Sequence, residues 1–418
     1  MRSASHELGP VRENERVRSA TIAHVRALFV ENLHPQATDI LSAAGIDVVN
    51  RSGALDEDEL ISALDGVELV GIRSKTQLTA KVFESCPSLI AAGTFSIGTN
   101  QVDLASAARL GIPVFNAPFS NTRSVVELAV AEMIGLPEHN RSLQAAVWSK
   151  SSGGSHEVRG RTLGIIGYGN IGSQLSVIAE ALGMKVVFFD IAEKLSLGNA
   201  SKAVTIADVL EVSDVVTLHV DGRPGNAGFF GAKEFALMKK GSIFLNLSRG
   251  FVVDIDALRD SIVAGHIAGA AIDVFPDEPK KTGDAFSTSL QGVENVFLTP
   301  HIGGSTEEAQ RDIGIFVATR LRDYVEQGST SLSVNLPNLS LDAAMGTHRI
   351  ALIHENVPGV LAAVNNVFAT HGVNIEGQLL GTRGELGYVV SDVAAGMSEA
   401  AITELLAMPA TIRLRILS

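Results

Sequence analysis

Gly167-Tyr-Gly169-Asn-Ile-Gly172 follows an apolar run, Leu163-Gly-Ile-Ile166, and opens a segment with helical patterning. Asp190 closes a second apolar run, Val186-Val-Phe-Phe189, eighteen residues beyond Gly172. The order is strand, tight turn, helix and strand, and each part has a physical task. Gly167 makes the turn, Gly169 lets the backbone approach a pyrophosphate, and Gly172 lets helix pack on strand. Asn170 and Ile171 complete the turn and begin the helix, whose free N–H groups and positive dipole end favour phosphate. Asp190 is placed to accept the ribose hydroxyls of an adenosine. A glycine turn alone is weak evidence. The flanking strands and the spaced acid make this a dinucleotide site rather than a turn that binds nothing.

The chain has 418 residues, too many for one ordinary core, so two or three domains are expected. No apolar stretch is long enough to span a bilayer. Met1 to Ala20 lacks the apolar core of a signal peptide and reads as a flexible tail. Cys86 is the only cysteine, which excludes an intrachain disulfide and a cysteine metal site and fits a reducing cytoplasm. A formal net charge of −13 argues against general nucleic-acid binding. No metal cluster is visible.

Apolar runs at Ala27–Val30, Asp47–Val49, Leu69–Ile72, Leu89–Ala92 and Val114–Asn116 predict strands. Helical patterns lie between them at Pro35–Gly45, Glu57–Leu64, Thr79–Cys86 and Asp103–Leu110. Such alternation predicts a parallel sheet with crossover helices. Ser120–Ile134 predicts a long helix. The dinucleotide unit then starts at Gly160, and strands follow at Val215–His219, Ser242–Asn246, Gly269–Asp273 and Val296–Thr299. Thr306–Gln327 predicts a helix returning to the first lobe. Gly328 to Thr347, rich in Ser, Asn, Pro and Gly, reads as a linker. Arg349 to Ser418 has the strand-helix-strand-strand-helix-strand order of a small ferredoxin-like domain.

Three segments place polar residues just past a strand end, where open α/β sheets bind ligands. Arg249 lies in Leu245-Asn-Leu-Ser-Arg-Gly250, Glu278 in Asp273-Val-Phe-Pro-Asp-Glu-Pro279, and His301 in Pro300-His-Ile-Gly-Gly304. Each alone also fits a plain structural part: a surface cation, a loop carboxylate, a strand-end histidine. Together, behind a nucleotide site, they match the needs of 2-oxo acid reduction. A histidine supplies the proton for the developing alkoxide. A carboxylate orients the imidazole and favours its charged form. An arginine holds the substrate carboxylate in a forked geometry. Asp273, at its strand end, either orders the site or contacts the nicotinamide.

These segments resemble the D-isomer-specific 2-hydroxyacid dehydrogenase family, in its short bacterial type with a C-terminal ACT domain. The matching stretches are Ile97–Leu104, Val114–Ser124, Leu163–Gly172, Ser248–Gly250, Gly269–Phe275 and Leu298–Thr306, in order and at matching spacing. The resemblance runs from about Ala27 to the end. It implies Arg249, Glu278 and His301 as the catalytic set and NAD as cofactor. It also implies an anion-binding turn at Arg73-Ser74-Lys75 that takes the substrate's phosphate. Asn121 and Gln310 are further substrate-side positions, and Trp148 and Lys150 reach a neighbouring subunit. Read from the residues, Arg73 and Lys75 follow the strand Leu69–Ile72, so their charges are expected at the cleft between lobes. A solvated basic pair is the plain alternative. One departure is Ser52, where relatives carry lysine, with Arg51 beside it. Another is the helix before Leu136-Pro137-Glu138, which is about one turn shorter. In the last segment the resemblance implies L-serine bound between subunits by His354, Asn356 and Asn374. Assembly without an effector is the alternative there.

The expected architecture is α/β. Two doubly wound parallel-sheet lobes, a Rossmann-like nucleotide domain and a flavodoxin-like substrate domain, precede a ferredoxin-like ACT domain. The expected boundaries are a tail at 1–24, a substrate domain at 25–119 and 308–336, a nucleotide domain at 120–307, a linker at 337–347 and an ACT domain at 348–418. The implied activity is NAD-dependent oxidation of D-3-phosphoglycerate to 3-phosphohydroxypyruvate, the entry to serine synthesis, with serine feedback. A dimer or tetramer in the cytoplasm is expected, with no nucleic acid and no membrane partner. The rivals are reduction of another 2-oxo acid, such as 2-oxoglutarate, and a nucleotide sensor without catalysis.

Overall fold

The computed structural model describes residues 17–19, 25–134, 157–279, 283–342, 347–394 and 398–417. The expectations for Leu136-Pro137-Glu138, Trp148 and Lys150 lie outside the described residues. The chain divides into two compact units, Phe119–Gln310 and the remainder.

A short strand, β1 (Val17–Ser19), opens the described chain. The first lobe then runs β2 (Arg26–Phe29), α1 (Pro35–Ala43), β3 (Asp47–Asn50), α2 (Glu57–Ala63), β4 (Leu69–Ile72), α3 (Ala80–Ser85), β5 (Ala91–Thr94), α4 (Leu104–Arg109) and β6 (Val114–Phe115). All five lobe strands are parallel, in the order β3-β2-β4-β5-β6. That is the flavodoxin-like winding. All four of its helices start at side-chain caps: His34, Asp56, Thr79 and Asp103 each accept a backbone N–H of the first turn. β5 begins two residues later than the apolar run Leu89–Ala92 suggests, because its register follows β4, with Leu69 opposite Ala91.

The second unit comprises α5 (Thr122–Ile134), β7 (Thr162–Ile166), α6 (Asn170–Ala181), β8 (Lys185–Phe189), β9 (Ser201–Lys202), α7 (Ile206–Val212), β10 (Val215–Leu218), α8 (Ala232–Leu237), β11 (Ser242–Asn246), α9 (Ile255–Val263), β12 (Ile267–Ile272) and β13 (Val296–Leu298). Its seven strands are parallel in the order β13-β12-β11-β10-β7-β8-β9. The winding reverses between β7 and β10, the switch point where such sheets bind dinucleotides. Both faces of this sheet bury apolar clusters, as a parallel sheet requires.

The chain re-enters the first unit along α10 (Glu307–Gln327), whose Ile313, Val317, Leu321 and Tyr324 join the first lobe's core. The last domain is β14 (Thr347–Glu355), α11 (Val360–Thr370), β15 (Ile375–Arg383), β16 (Leu386–Ala394), α12 (Glu399–Ala407) and β17 (Thr411–Leu417). β14, β16, β15 and β17 form an antiparallel ferredoxin-like sheet in the order β17-β14-β16-β15.

Three parts differ from the sequence expectation. Val17–Ser19, assigned to a flexible tail, pairs in parallel with Leu414–Ile416 and covers the outer edge of β17. The stretch expected as a linker is packed. Thr330, Ser333 and Asn335 are buried, Asn335 bonds the backbone of Val114 and Ile112, and Leu336 sits in an apolar cluster with Ile353 and Tyr388. Its polar residues look loop-like in sequence, yet each has a partner, which is the condition for burying them.

The last domain is also not merely tethered. A helix leaves its final carbonyls without intrahelical partners. At and just past the end of α10 this domain supplies donors to the carbonyls: Arg415 donates to Tyr324 (2.9 Å), which also accepts the Gly328 N–H, and to Val325 (3.2 Å), Arg349 to Gln327 (3.0 Å), and Tyr388 to Gly328 (2.6 Å). The Arg415 guanidinium lies 4.4 Å from the Tyr324 ring centroid, and Arg349 is itself ion-paired with Asp392 at 2.7 Å.

Candidate active site

Every functional segment of the second unit lies beyond the carboxyl end of a strand in one parallel sheet. The glycine turn follows β7, Asp190 follows β8, Asp221 follows β10, Arg249 follows β11, Asp273 and Glu278 follow β12, and His301 follows β13.

Gly167 has φ +96°, and a Cβ there would lie 2.5 Å from the His219 carbonyl oxygen. A Cβ on Gly172 would lie 2.3 Å from the Gly167 carbonyl oxygen, so this glycine lets α6 sit close on β7. A Cβ on Gly169 would meet no protein atom within 4 Å. Gly169 is the N-cap of α6 and offers no side-chain cap to its first turn. These are the shapes needed for a sharp turn, close packing and an anion at a helix end. Asp190 accepts the N–H of Tyr168 (2.8 Å) and of Ala192 (2.8 Å), which fixes its carboxylate beside the turn. Asn170 and Ile171 form the first turn of α6. A dinucleotide fits this cradle.

An arginine that the sequence order does not reveal also stands near Asp190. Arg223, after β10, donates to Asp221 through Nε at 2.7 Å. Its pKa is raised chiefly by that pair, with a further pull from Asp190. Thirty-three residues separate it from Asp190, so no local motif announces it.

The Arg249, Glu278 and His301 side chains converge. His301 Nδ1 donates to Glu278 Oε2 at 2.7 Å, and the Phe275 N–H donates to Glu278 Oε1 at 3.1 Å. The Glu278 hydrogen bond raises the His301 pKa above its ordinary value, against the opposing pull of burial. Burial works to raise the Glu278 carboxyl. The hydrogen bond and charge of His301, the Phe275 N–H and the charge of Arg249 outweigh it and hold that carboxyl low. Arg249 is lowered by burial, partly offset by Glu278 and Asp221. Its backbone carbonyl is held by Asn246 at 3.1 Å, and its Nη1 donates to the Ser248 carbonyl at 2.6 Å.

His301 sits at φ +55°, a left-handed conformation uncommon for a residue with a Cβ. Asp273 is what holds it. Its carboxylate accepts the N–H of Ile302 (2.8 Å), the N–H of Gly303 (2.9 Å) and the Thr299 hydroxyl (2.7 Å), and its carbonyl accepts the His301 N–H (2.8 Å). With the side chain wrapped in this way and the residue 1% exposed, the geometry favours the ordering role for Asp273 over direct contact with a cofactor. Asn121 and Gln310 both reach the same turn. The Gln310 amide donates to the Gly304 carbonyl at 3.0 Å, the Asn121 amide packs against Gly304, and Asn121 Oδ1 is buried without a hydrogen-bond partner among the described residues.

In the first lobe, the Arg73-Ser74-Lys75 turn is wrapped around a carboxylate that sequence reasoning missed. Glu31, 7% exposed and at φ +66°, accepts the N–H groups of Arg73 (3.2 Å), Lys75 (3.1 Å) and Thr76 (2.8 Å). Two of the turn's three amides, those of Arg73 and Lys75, are therefore occupied, which leaves an anion to the Ser74 N–H and the side chains. Arg73 is half-buried and Lys75 exposed. Ser52 and Arg51 line a separate open pocket with Asn32, Thr38, Asp39 and Asn50. Lys150 lies outside the described residues.

The three residues expected to bind an effector do not meet within one chain. His354 opposes Gly387 on β16, whereas Ile375, next to Asn374, opposes Val393. Six residues of strand separate those positions, roughly 20 Å. His354 is buried, with Nδ1 on the Glu355 carbonyl at 2.7 Å and Nε2 without a partner among the described residues. Asn356 donates to the Gly384 carbonyl at 3.0 Å, and Asn374 is exposed.

Residues 126–303 match the D-isomer specific 2-hydroxyacid dehydrogenase, NAD binding domain family, and residues 350–413 match an AHAS small subunit-like ACT domain. The D-3-phosphoglycerate dehydrogenase of Escherichia coli (strain K12) is 50% identical over 400 residues, covering 94% of this chain and 97% of that protein. The D-3-phosphoglycerate dehydrogenase of Haemophilus influenzae is 48% identical over the same shares. Among solved structures, the D-lactate dehydrogenase of Aquifex aeolicus, complexed with NAD and lactic acid, aligns with a TM-score of 0.62 at 26% identity. That match covers 72% of this chain and 95% of the other.

Proposed function

This chain belongs to the D-3-phosphoglycerate dehydrogenase family of NAD-dependent 2-hydroxyacid dehydrogenases, and from that premise we propose that it oxidises D-3-phosphoglycerate to 3-phosphohydroxypyruvate. The observation that carries the chemistry is the His301–Glu278 pair at 2.7 Å with Arg249 within reach of both charges. The Gly167–Gly172 turn and Asp190 would hold NAD, which when bound would accept the hydride leaving C2. Arg249 grips the substrate carboxylate. His301 Nδ1 is engaged by Glu278, so Nε2 faces the substrate and takes the proton of the C2 hydroxyl. Glu278 stabilises the imidazolium that results. In the reverse direction the same imidazolium returns the proton to the 2-oxo oxygen.

The phosphate falls to the Arg73 and Lys75 side chains, with the Ser74 N–H beside them, because Glu31 occupies the Arg73 and Lys75 amides of that turn. Turnover with NAD across a panel of 2-hydroxy and 2-oxo acids tests the assignment. The phosphorylated substrate should lead the panel, and Arg73→Ala should reduce its kcat/KM far more than that of an unphosphorylated 2-hydroxy acid. A panel led by 2-oxoglutarate reduction favours the rival activity, and no turnover on any member favours the nucleotide sensor. A cytoplasmic setting, with Cys86 reduced, suits such an enzyme.

L-serine is the proposed effector, bound between two copies of the ACT domain. β15 is an edge strand with Leu379 and Leu380 exposed, whereas the opposite edge of the sheet is covered by β1. Antiparallel pairing of β15 with its copy brings the Asn374 end of one domain to the His354 and Asn356 end of the other. This resolves the separation of those residues within one chain and makes the assembly a dimer or a tetramer. Calorimetry with L-serine and D-serine checks it: the L isomer should bind and inhibit, and Asn374→Ala should abolish both effects while turnover persists. Serine binding by a monomeric variant would sink the shared site.

A further inference from the structure

Glu132 is an acid on the apolar face of α5, alongside Val125, Val126, Ala129 and Met133. It is 7% exposed, a position where an ionised carboxylate needs a partner. Among the described residues it has no cation. Oε2 makes no hydrogen bond, and Oε1 lies 3.4 Å from the Thr299 hydroxyl. The charge that acts on it is Asp273, of the same sign. Of the elements packed on α5, β11 has no titratable side chain, α6 carries only an acid, Glu180, and the turn after β13, whose Gly303 lies against Val125 and Leu128, brings His301, whose ring is engaged by Glu278; on α5 itself Arg123 is paired with Glu127.

The single hydroxyl proton of Thr299 fixes the direction of the contacts. The Thr299 hydroxyl has one proton and lies 2.7 Å from Asp273 Oδ1, so that proton belongs to Asp273. Thr299 then turns a lone pair toward Glu132. Only a protonated Glu132 has anything to donate there, and an unpartnered carbonyl Oε2 is far cheaper to bury than an unpartnered charge. Burial, and then the Asp273 charge, push the Glu132 carboxyl up to about 7, even with the hydrogen bond to Thr299 pulling the other way. The resulting chain runs from the Glu132 O–H to Thr299, from the Thr299 O–H to Asp273, and from Asp273 to the amides of residues 301 to 303.

We propose that Glu132 is a positioning residue whose neutral acid anchors the His301 turn through Thr299 and Asp273, and that turnover falls as Glu132 ionises. This rests on the dehydrogenase reading, with His301 as acid/base. The experiment follows kcat for hydroxy-acid oxidation against pH in wild type, Glu132→Gln and Glu132→Ala. Oxidation needs neutral His301, so His301 gives a rising limb. Ionisation of Glu132 adds a falling limb above about pH 7. Glutamine still donates to Thr299 but cannot ionise, so the falling limb should disappear and kcat should rise to a His301-limited plateau above the wild-type maximum, where the two limbs overlap. Alanine should lower kcat at every pH by about tenfold to a hundredfold, through misplacement of the imidazole. Superimposable wild-type and Glu132→Gln profiles overturn the proposal. Infrared spectra of the wild-type protein give a readout that needs no variant. A protonated-carboxyl stretch should be present at about pH 6 and lost by about pH 8. Its absence at the lower pH overturns the proposal whatever the kinetics. The band without turnover on any 2-hydroxy acid breaks the dehydrogenase reading and the anchoring role with it, while the protonation stands, so the two failures are distinguishable.

Discussion

The turn after β13 and the turn after β4 are both built around a buried carboxylate, but the backbone strain falls on opposite partners. Asp273 gathers the amides of Ile302 and Gly303, and Glu31 gathers those of Arg73, Lys75 and Thr76. At the first turn the left-handed residue is the one displayed, His301 at φ +55°. At the second it is the one that holds, Glu31 at φ +66°. A left-handed residue with a Cβ costs of order 1–3 kcal/mol and persists only where its surroundings over-determine it. The imidazole that moves a proton is thus fixed in one direction, and its ring is fixed again by Glu278. The cations proposed for the phosphate sit on a fixed backbone but keep long, adjustable side chains. Proton transfer tolerates little misplacement, whereas a phosphate with three oxygens accepts many approaches.

The largest effects should come from the rigid turn. His301→Ala removes proton transfer and should lower kcat by about 10²–10⁴. Arg249→Ala should lower kcat and also raise KM for the 2-oxo acid, since it removes the carboxylate clamp. Wild-type steady-state turnover in either variant breaks the assignment.

Next come the two holding carboxylates, which test the comparison directly. Asp273→Asn replaces one acceptor oxygen with a donor aimed at backbone N–H or hydroxyl groups, and Glu31→Gln does the same in the first lobe. Each leaves a buried donor unsatisfied, which costs about 1–3 kcal/mol. The stability losses measured by denaturant titration should therefore be alike, but the kinetic signatures should differ. Asp273→Asn is expected to depress kcat, and Glu31→Gln to raise KM for the phosphorylated substrate while leaving kcat nearly intact. Identical kinetic signatures in the two variants would erase the distinction between a rigid and an adjustable turn.

A smaller effect separates the ring's orientation from its charge. His301 is raised above its ordinary pKa first by the Glu278 hydrogen bond, so Glu278→Gln should lower it. Oxidation requires the neutral imidazole, and its rising limb should move to lower pH. Reduction requires the imidazolium, and its falling limb should move the same way. Opposite movements of the two limbs, or none, would mean that Glu278 does not set the His301 proton affinity.

The legibility of these parts in sequence follows the range over which each is encoded. The glycine turn is local: Gly167, Gly169 and Gly172 each meet a steric demand set within one strand-turn-helix unit. Arg249, Glu278 and His301 come from three strand ends, and chemistry plus the order of motifs was enough to group them. Glu31 was not legible, because its task depends on β2 and β4 being neighbours, which no local pattern states. Glu132 carries only a faint signal, an acid in the stripe of Val125 and Ala129, because a helical pattern alone does not say which neighbours face it. The strap from Gly328 to Leu336 misled because buried Thr330, Ser333 and Asn335 look like loop residues until their partners are known. Val17–Ser19 is too short to announce itself and owes its strand to β17, almost the whole chain away.

The smallest effect concerns a second arginine whose situation sharpens the contrast with Arg73. Arg223 is held by its own guanidinium, gripped by Asp221, rather than by its backbone. It sits close enough to Asp190 for that charge to act on it. Asp190 should repel a ribose 2′-phosphate and so favour NAD over NADP. Arg223 opposes that repulsion, but its side chain is 53% exposed, where solvent screens charge interactions strongly. Arg223→Ala should therefore raise the ratio of kcat/KM for NAD to that for NADP, by roughly two- to fivefold. Asp221→Ala should lower the ratio, because the released guanidinium is free to meet a 2′-phosphate. Parallel measurements with both cofactors decide it: a ratio unmoved by either change would leave Asp190 as the sole discriminator and make the Asp221–Arg223 pair a surface feature of the lobe.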